Sequence, residues 1–232
     1  MLFGKKETVA LSGIKVIRSH RRTMSLEITK DGAVVVRAPF LLPERKIHNF
    51  VSDKMDWIKN KQQIIQKRFL EKKTPRFAAG ENFLFLGKFY PLLVTRKKRP
   101  VLQLSDCFEL SETKRNSAKL VFEQWYRKVA LETVTRFVRQ YAEQYSLAYK
   151  KIRVTGARTR WGSCNSHGHL SFSWRLIMAP EEVVVYVVVH ELAHLVQHNH
   201  SKRFWNLVEK MCPDFKKQKK WLREHGHTLA LD

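Results

Sequence analysis

Residues 183–195 read Val-Val-Val-Tyr-Val-Val-Val-His-Glu-Leu-Ala-His-Leu, an apolar run that carries two histidines and a glutamate. A helix apolar all round has to be buried. A buried helix tolerates ionisable side chains when they are paired or bound to a metal. The pattern H-E-x-x-H sets His190 and His194 four residues apart, one above the other on a single helical face. Two imidazoles can there reach one metal ion, and Glu191 can reach a metal-bound water as general base. With 10 histidines in 232 residues, chance supplies this pattern about 0.03 times. The competing reading is two histidines satisfied by core hydrogen bonds beside a solvent-facing glutamate, but a buried helix has little use for three such groups unless they are paired or metal-bound.

A zinc site needs a third protein ligand, and an open fourth position if it is catalytic. His200 is the first candidate and His198 the second. A helix continued past His194 would carry His200 about 9 Å along its axis. The chain is therefore expected to break near Gln197-His198-Asn199, with Asn199 as a left-handed C-cap. Ser201 is placed to N-cap a following helix over Lys202–Met211. Upstream, Ala179-Pro180-Glu181-Glu182 starts the metal helix with a proline in the first turn and two acids at its positive end. Three neutral imidazoles would leave Zn2+ able to lower the pKa of a bound water to about 7. Glu191 would take that proton and pass it to the leaving group. His167, His169 and Arg160 are candidates for stabilising the oxyanion.

The rest of the chain reads as short strands and two long helices. Alternating runs from Ile14 to Pro39 are punctuated by Asp31-Gly32, a hairpin signal. Pro43 and Glu44 open a helix expected to reach about Leu70, with Ile47, Phe50, Val51, Met55, Ile58, Ile65 and Phe69 at helical spacing. Lys72 to Gly80 reads as a connector. Hairpins follow around Gly87-Lys88 and Ser105-Asp106. A long helix then spans about Ala118 to Tyr145, its apolar face expected at Leu120, Val121, Trp125, Val129, Val134, Phe137, Val138 and Tyr141. Lys151 to Val154 reads as a strand, and Arg158–Ser163 with His169–Ser173 as a hairpin around Asn165-Ser166-His167-Gly168. One of these strands, at a sheet edge, could take a peptide as a further strand. Arg158, Arg160, Trp161 and Arg175 are candidate substrate-binding residues for a phosphate or carboxylate. Trp161 reads first as a core aromatic, and Phe204 and Trp205 as packing between helices. No internal repeat is visible. The expected division is residues 1–113, β-hairpins with one long helix, and residues 114–232, a catalytic domain.

Certain residues carry a family resemblance. His190-Glu191-Leu192-Ala193-His194, five residues, then His200-Ser201 and Phe204-Trp205 resemble the YgjP-like metal-dependent hydrolases, and are similar to the wider group of WLM and SprT-like metallopeptidases. Arg160-Trp161-Gly162-Ser163-Cys164, followed by Leu170-Ser171-Phe172-Ser173 and Leu176, resembles the segment before the metal helix in that family. Arg18-Ser19-His20-Arg21-Arg22, Asp31-Gly32 and Trp57-Ile58 extend the likeness across residues 14–225. The histidine spacing equals that of metzincins, but Gln197 stands at their glycine position, which leaves both His198 and His200 open. The resemblance implies an α+β fold: a zincin-like metallopeptidase domain, with a mixed sheet and the H-E-x-x-H helix, behind an N-terminal β-rich and helical extension. It implies Zn2+ as the cofactor.

Composition narrows the partners. Lys+Arg 44 against Asp+Glu 21 gives a net charge of +23. That balance favours polyanions such as nucleic acid or a nucleotide on a basic surface. Cys107, Cys164 and Cys212 form no C-x-x-C pair and point to a reducing, cytoplasmic setting. No apolar leader follows Met1 and no stretch is long enough for a membrane span. Three functions follow from these residues: a zinc metallopeptidase acting on polypeptide, a nucleotide phosphohydrolase or pyrophosphatase, and a nucleic-acid-binding protein with a structural zinc. The peptidase is favoured, because Mg-dependent phosphohydrolases use several carboxylates and a structural zinc needs no base.

Overall fold

The computed structural model describes residues 8–11, 13–29, 31–71 and 75–231. Chain contacts divide into two compact units, Met1–Lys73 and Thr74–Asp232. Residue 113, the boundary expected from sequence, lies inside the second unit. The hairpins before it pack with the long helix that follows.

In the first unit, strands β1 (Thr8–Leu11), β2 (Ile14–Ser19), β3 (Ser25–Ile28) and β4 (Val34–Pro39) form one sheet in the order β1-β2-β4-β3. The expected hairpin is present: β3 and β4 run antiparallel, and Gly32 takes the positive φ of +85° that the turn requires. β2 and β4 pair in parallel. The helix expected from Glu44 to Leu70 is two helices, α1 (Glu44–Ser52) and α2 (Met55–Glu71). Lys54 N–H bonds three residues back, to the Val51 carbonyl, and closes α1 before Ile58 N–H bonds the Lys54 carbonyl. Ile47, Val51 and Ile58 pack on Val16, Val36 and Ala38. Met55 is exposed, and the Phe69 side chain lies outside the described residues, as do residues 72–74 of the connector. Arg18 is buried and donates to the carbonyls of Phe40 (2.9 Å) and Leu42 (2.7 Å), so its role is to hold the turn after β4.

The second unit starts with β5 (Asn82–Phe85), β6 (Lys88–Thr95), β7 (Leu102–Leu104) and β8 (Phe108–Ser111), in the order β5-β6-β8-β7. This repeats the strand order of the first sheet. A 3-10 turn leads into α3 (Ala118–Gln144). The first half of α3 packs Phe122 and Tyr126 on Phe83 and Phe108, and the buried Tyr126 hydroxyl donates to the Leu84 carbonyl at 2.6 Å. The buried stripe runs Ala118, Phe122, Tyr126, Ala130, Val134, Phe137 and Val138. Leu120, expected to be inward, is exposed.

The second half of α3 meets a three-stranded sheet in the order β10-β11-β9, made by β9 (Lys151–Thr155), β10 (Gly162–Cys164) and β11 (His169–Ser173). β10 and β11 form the expected hairpin, while β9 joins β11 in parallel. Three helices complete the unit: α4 (Glu181–Ala193), α5 (Lys202–Met211) and α6 (Phe215–His225). α6 escaped the sequence reading because lysines dominate its first half, Phe-Lys-Lys-Gln-Lys-Lys. Phe215 and Gln218 are nevertheless buried, and Trp221 and Leu222 half-buried. Among the described residues, no helix is long and apolar enough to cross a membrane.

Candidate metal centre

The start of α4 is held by the β5–β6 turn. Leu86 and Gly87 donate their N–H groups to the carbonyls of Ile177 and Met178. A Cβ on Gly87 would lie 2.9 Å from the Pro180 ring. Val183, Val184, Val188 and Val189 are fully buried, so the metal helix is embedded as its composition requires.

The nitrogen donors of His190, His194 and His200 lie within 4.8 Å of one another. Nε2 of His190 and Nε2 of His200 are 3.1 Å apart. A tetrahedral zinc with Zn–N bonds of about 2.0–2.1 Å sets its nitrogens roughly 3.3 Å apart, so this cluster fits that ion. His194 Nδ1–H donates to the Gln197 carbonyl at 3.0 Å. That bond fixes the tautomer and leaves Nε2 with its lone pair. Burial pushes His190 down to about 3, with the neighbouring histidines adding to the shift, and it lowers His194 as well. Both rings are therefore neutral at pH 7, which is the ligating form. Among the described residues, His190 Nδ1 is buried without a hydrogen-bond partner.

The chain turns back earlier than expected. α4 ends at Ala193, and tight turns follow: Leu195 N–H bonds the Leu192 carbonyl, and Gln197 N–H that of Ala193. Asn199 does not take the left-handed conformation. The His194–Gln197 bond closes the turn in its place. Ser201 caps α5 as expected, accepting from Phe204 N–H at 3.4 Å. α5 then sets Phe204 against all three imidazoles, with ring centroids at 5.0, 4.6 and 4.7 Å. Trp205 stacks on His200 at 5.6 Å. These two aromatics thus position the histidines directly as well as packing helix on helix. His198 is exposed and lines a groove with Asn165, His167 and Leu195, apart from the cluster.

Glu191 is 5% exposed and projects onto strand β10. A Cβ on Gly162 would lie 2.5 Å from its Oε1, so glycine is the residue that leaves room for this carboxylate. Burial pushes Glu191 up to about 8, against the lowering effects of the Cys164 backbone N–H and the Arg160 charge. β10 is an edge of its sheet, so its outer backbone groups border the centre. An isolated glycine in a strand marks close backbone approach, and that was the signal in Trp-Gly-Ser-Cys that could have found Gly162.

The expected substrate-binding residues separate. Arg158 and Arg160 are exposed. Trp161 is half-buried, packs on both cores of the unit and meets Gly226, where a Cβ would lie 2.8 Å from its ring. Arg175 has to be corrected: it is 7% exposed, lies over the Trp174 ring at 4.3 Å and donates to the Gly156 carbonyl at 3.0 Å. Its guanidinium is engaged within the fold. His167 is exposed on the β10–β11 turn and His169 half-buried beside it.

A histidine cluster at the end of a buried helix, beneath an edge strand of a mixed sheet, defines an α+β protein of the metallohydrolase type. The chain belongs to the YgjP-like family: the model of its metallopeptidase domain matches residues 22–225. Among solved structures, the crystal structure of the metallopeptidase zymogen of Pyrococcus abyssi abylysin is similar at 21% identity, over 39% of this chain and 93% of that one, with a TM-score of 0.36. A comparison with curated proteins finds no match.

Proposed function

We propose that this chain is a zinc-dependent peptidase in which His190, His194 and His200 hold the ion and Glu191 is the general base. The observation that carries the reading is the convergence of three imidazole donors beside a buried carboxylate within a metallopeptidase-family domain. Zinc, when bound, supplies Lewis acidity and a positive charge. The chain's own residues do the rest. Phe204 and the His194–Gln197 bond orient the imidazoles, so little reorganisation is needed. The Glu191 carboxylate takes a proton from the attacking water and returns it to the leaving amine. Burial raises its proton affinity in the metal-free protein, and the positive charge of a bound zinc would act in the opposite direction. The free edge of β10 can pair with an extended peptide through backbone hydrogen bonds, and the exposed Arg158 and Arg160 lie on the loop leading into it.

The phosphohydrolase reading fits less well, since the cluster holds no carboxylate ligand and magnesium is bound through carboxylates. The test combines metal analysis with a substrate screen. Wild type and His198→Ala should retain about one equivalent of zinc, while His200→Ala loses most of it. Glu191→Gln should keep zinc but lose peptide hydrolysis by about 10²–10⁴-fold. The screen uses casein-like and histone substrates, with and without DNA, beside nucleoside triphosphates. Nucleotide hydrolysis that vanishes in Glu191→Gln, with no peptide cleavage under any condition, would overturn the proposal.

A further inference from the structure

The proposed chemistry leaves one polar site unused, on the outer face of the β10-β11-β9 sheet. Residues directly across a sheet share a face. The pairings Ser163↔Ser171 and Ser171↔Arg153 therefore set these three side chains in one row. Leu170 and Phe172, alternating with them, point into the core. Residues 156–161 fold over this outer row and are pinned at both ends. Ser173 Oγ donates to the Ala157 carbonyl at 2.8 Å, Arg175 Nη1 to the Gly156 carbonyl at 3.0 Å, and Ser173 N–H to the Trp161 carbonyl at 2.8 Å.

Beneath the loop lies a cavity of about 30 Å³, lined by Arg153, Thr155, Arg160, Ser163 and Ser171 among others, with no carboxylate in its wall. Arg153 Nε donates to Ser171 Oγ at 2.8 Å, which aligns the guanidinium and leaves its Nη groups for a ligand. Among the described residues, no hydrogen bond engages the Ser163 hydroxyl or the Arg160 guanidinium, whose charge also acts on the Glu191 carboxylate. Two arginines, both otherwise exposed, and two serines thus line one small space that holds no acid. Guanidinium forks match planar oxyanions. One water-sized group needs about 10–15 Å³, so the space is of the size of a small planar oxyanion such as a carboxylate.

We propose that this cavity binds a carboxylate, and, resting on the peptidase reading, that the carboxylate is an acidic side chain of the bound peptide. A peptide added to the free edge of β10 would place the side chain opposite Ser163 on the same outer face. Its chain neighbours would face inward, over Gly162 and Glu191. The substrate class is then a polypeptide with Asp or Glu beside the bond presented to Glu191. Arg160 and Arg153 act as specificity determinants.

The experiment reads binding, so its failure differs from a failure of peptide cleavage. Arginine Nε–Hε NMR signals of the zinc-loaded protein are followed with acetate, with inorganic phosphate, and with two short peptides that differ only as Asp or Asn. The peptides are added to zinc-loaded Glu191→Gln, in which they are not cut. Acetate should saturate the Arg153 and Arg160 signals, and the Asp peptide should bind about tenfold more tightly than the Asn peptide. Arg160→Gln, at an exposed position, should reduce that preference to under about twofold with zinc content unchanged. Arg153→Lys should retain part of it. Linear, non-saturating shifts with acetate, equal affinity for the two peptides, or saturation by phosphate alone would each overturn the proposal.

Discussion

On one face of the β10-β11-β9 sheet, Leu170, Phe172, Ile152 and Val154 pack into the core that holds α4. On the other, the same strands present Ser163, Ser171, Ser173, Arg153 and Thr155. The central strand β11 is covered on both faces, since Ser171 and Ser173 are 7% and 1% exposed, but by opposite means. The inner face is closed by apolar side chains and the outer by hydrogen bonds to a folded-over loop. At Gly162 the inner face is bare backbone, and the Glu191 carboxylate fills the gap. A slip of one residue in β10 would exchange the faces and set the Ser163 side chain where the Glu191 carboxylate lies. A three-residue edge strand therefore partitions the proposed chemistry from the proposed recognition.

The sharpest way to break this comparison is Gly162→Ala. The new methyl would collide with the Glu191 carboxylate, so peptide hydrolysis should fall about 10²-fold or more while zinc is retained. Parallel kcat/KM and metal measurements check it, and unchanged turnover would show that Glu191 does not act from this position. Next comes the inner core. Phe172→Ala should cost about 3–5 kcal/mol in chemical denaturation, and a cost below 1.5 would mean that the sheet is not held from this side.

A third prediction concerns pH in the metal-free protein. Glu191 is raised from 4.5 to about 8, so between these values the unfolded chain has released a proton that the folded chain keeps. Stability is then present below 4.5 and declines as pH rises toward 8, by at most about 1.4 kcal/mol per pH unit. Glu191→Gln should remove this decline. His190, lowered from 6.5 to about 3, acts oppositely: stability falls as pH drops below 6.5, and that limb should survive in Glu191→Gln. Denaturation midpoints across pH 3–9 would show both, and an unaltered alkaline limb in the variant would contradict the burial of the carboxylate. The smallest effect is expected on the outer face, where Ser171→Ala loses its bond with Arg153 and should cost about 1 kcal/mol. A loss as large as that of Phe172→Ala would erase the distinction between the faces.

Much of the site was legible because its signals are local. H-E-x-x-H sets two imidazoles on one face through helical periodicity alone, and Ser201 caps a helix through a bond to Phe204, three residues on. The Asp31-Gly32 and Gly87-Lys88 turns follow from backbone preferences. The split between α1 and α2 was missed because the apolar spacing of Val51 and Met55 reads as continuous helix. α6 was missed because four of its residues from 216 to 220 are lysines. Arg175 read as a candidate substrate-binding residue, and nothing near it in sequence signals the bond to the distant Gly156 carbonyl that engages it.

By itself the sequence determined the H-E-x-x-H helix, its acidic start, the turn that carries His198 and His200, and the helix that follows. These depend on residues a turn or two apart, where steric and hydrogen-bonding rules operate without the rest of the chain. The tertiary structure alone decided that His200 joins the cluster, that Gly162 makes room for Glu191, and that Arg153 and Arg160 face one cavity. Each joins segments distant in the chain, through the parallel pairing of β9 with β11 and the packing of α5 beneath α4. Pairing partners and register are set by the whole buried surface at once, and a local pattern does not contain them.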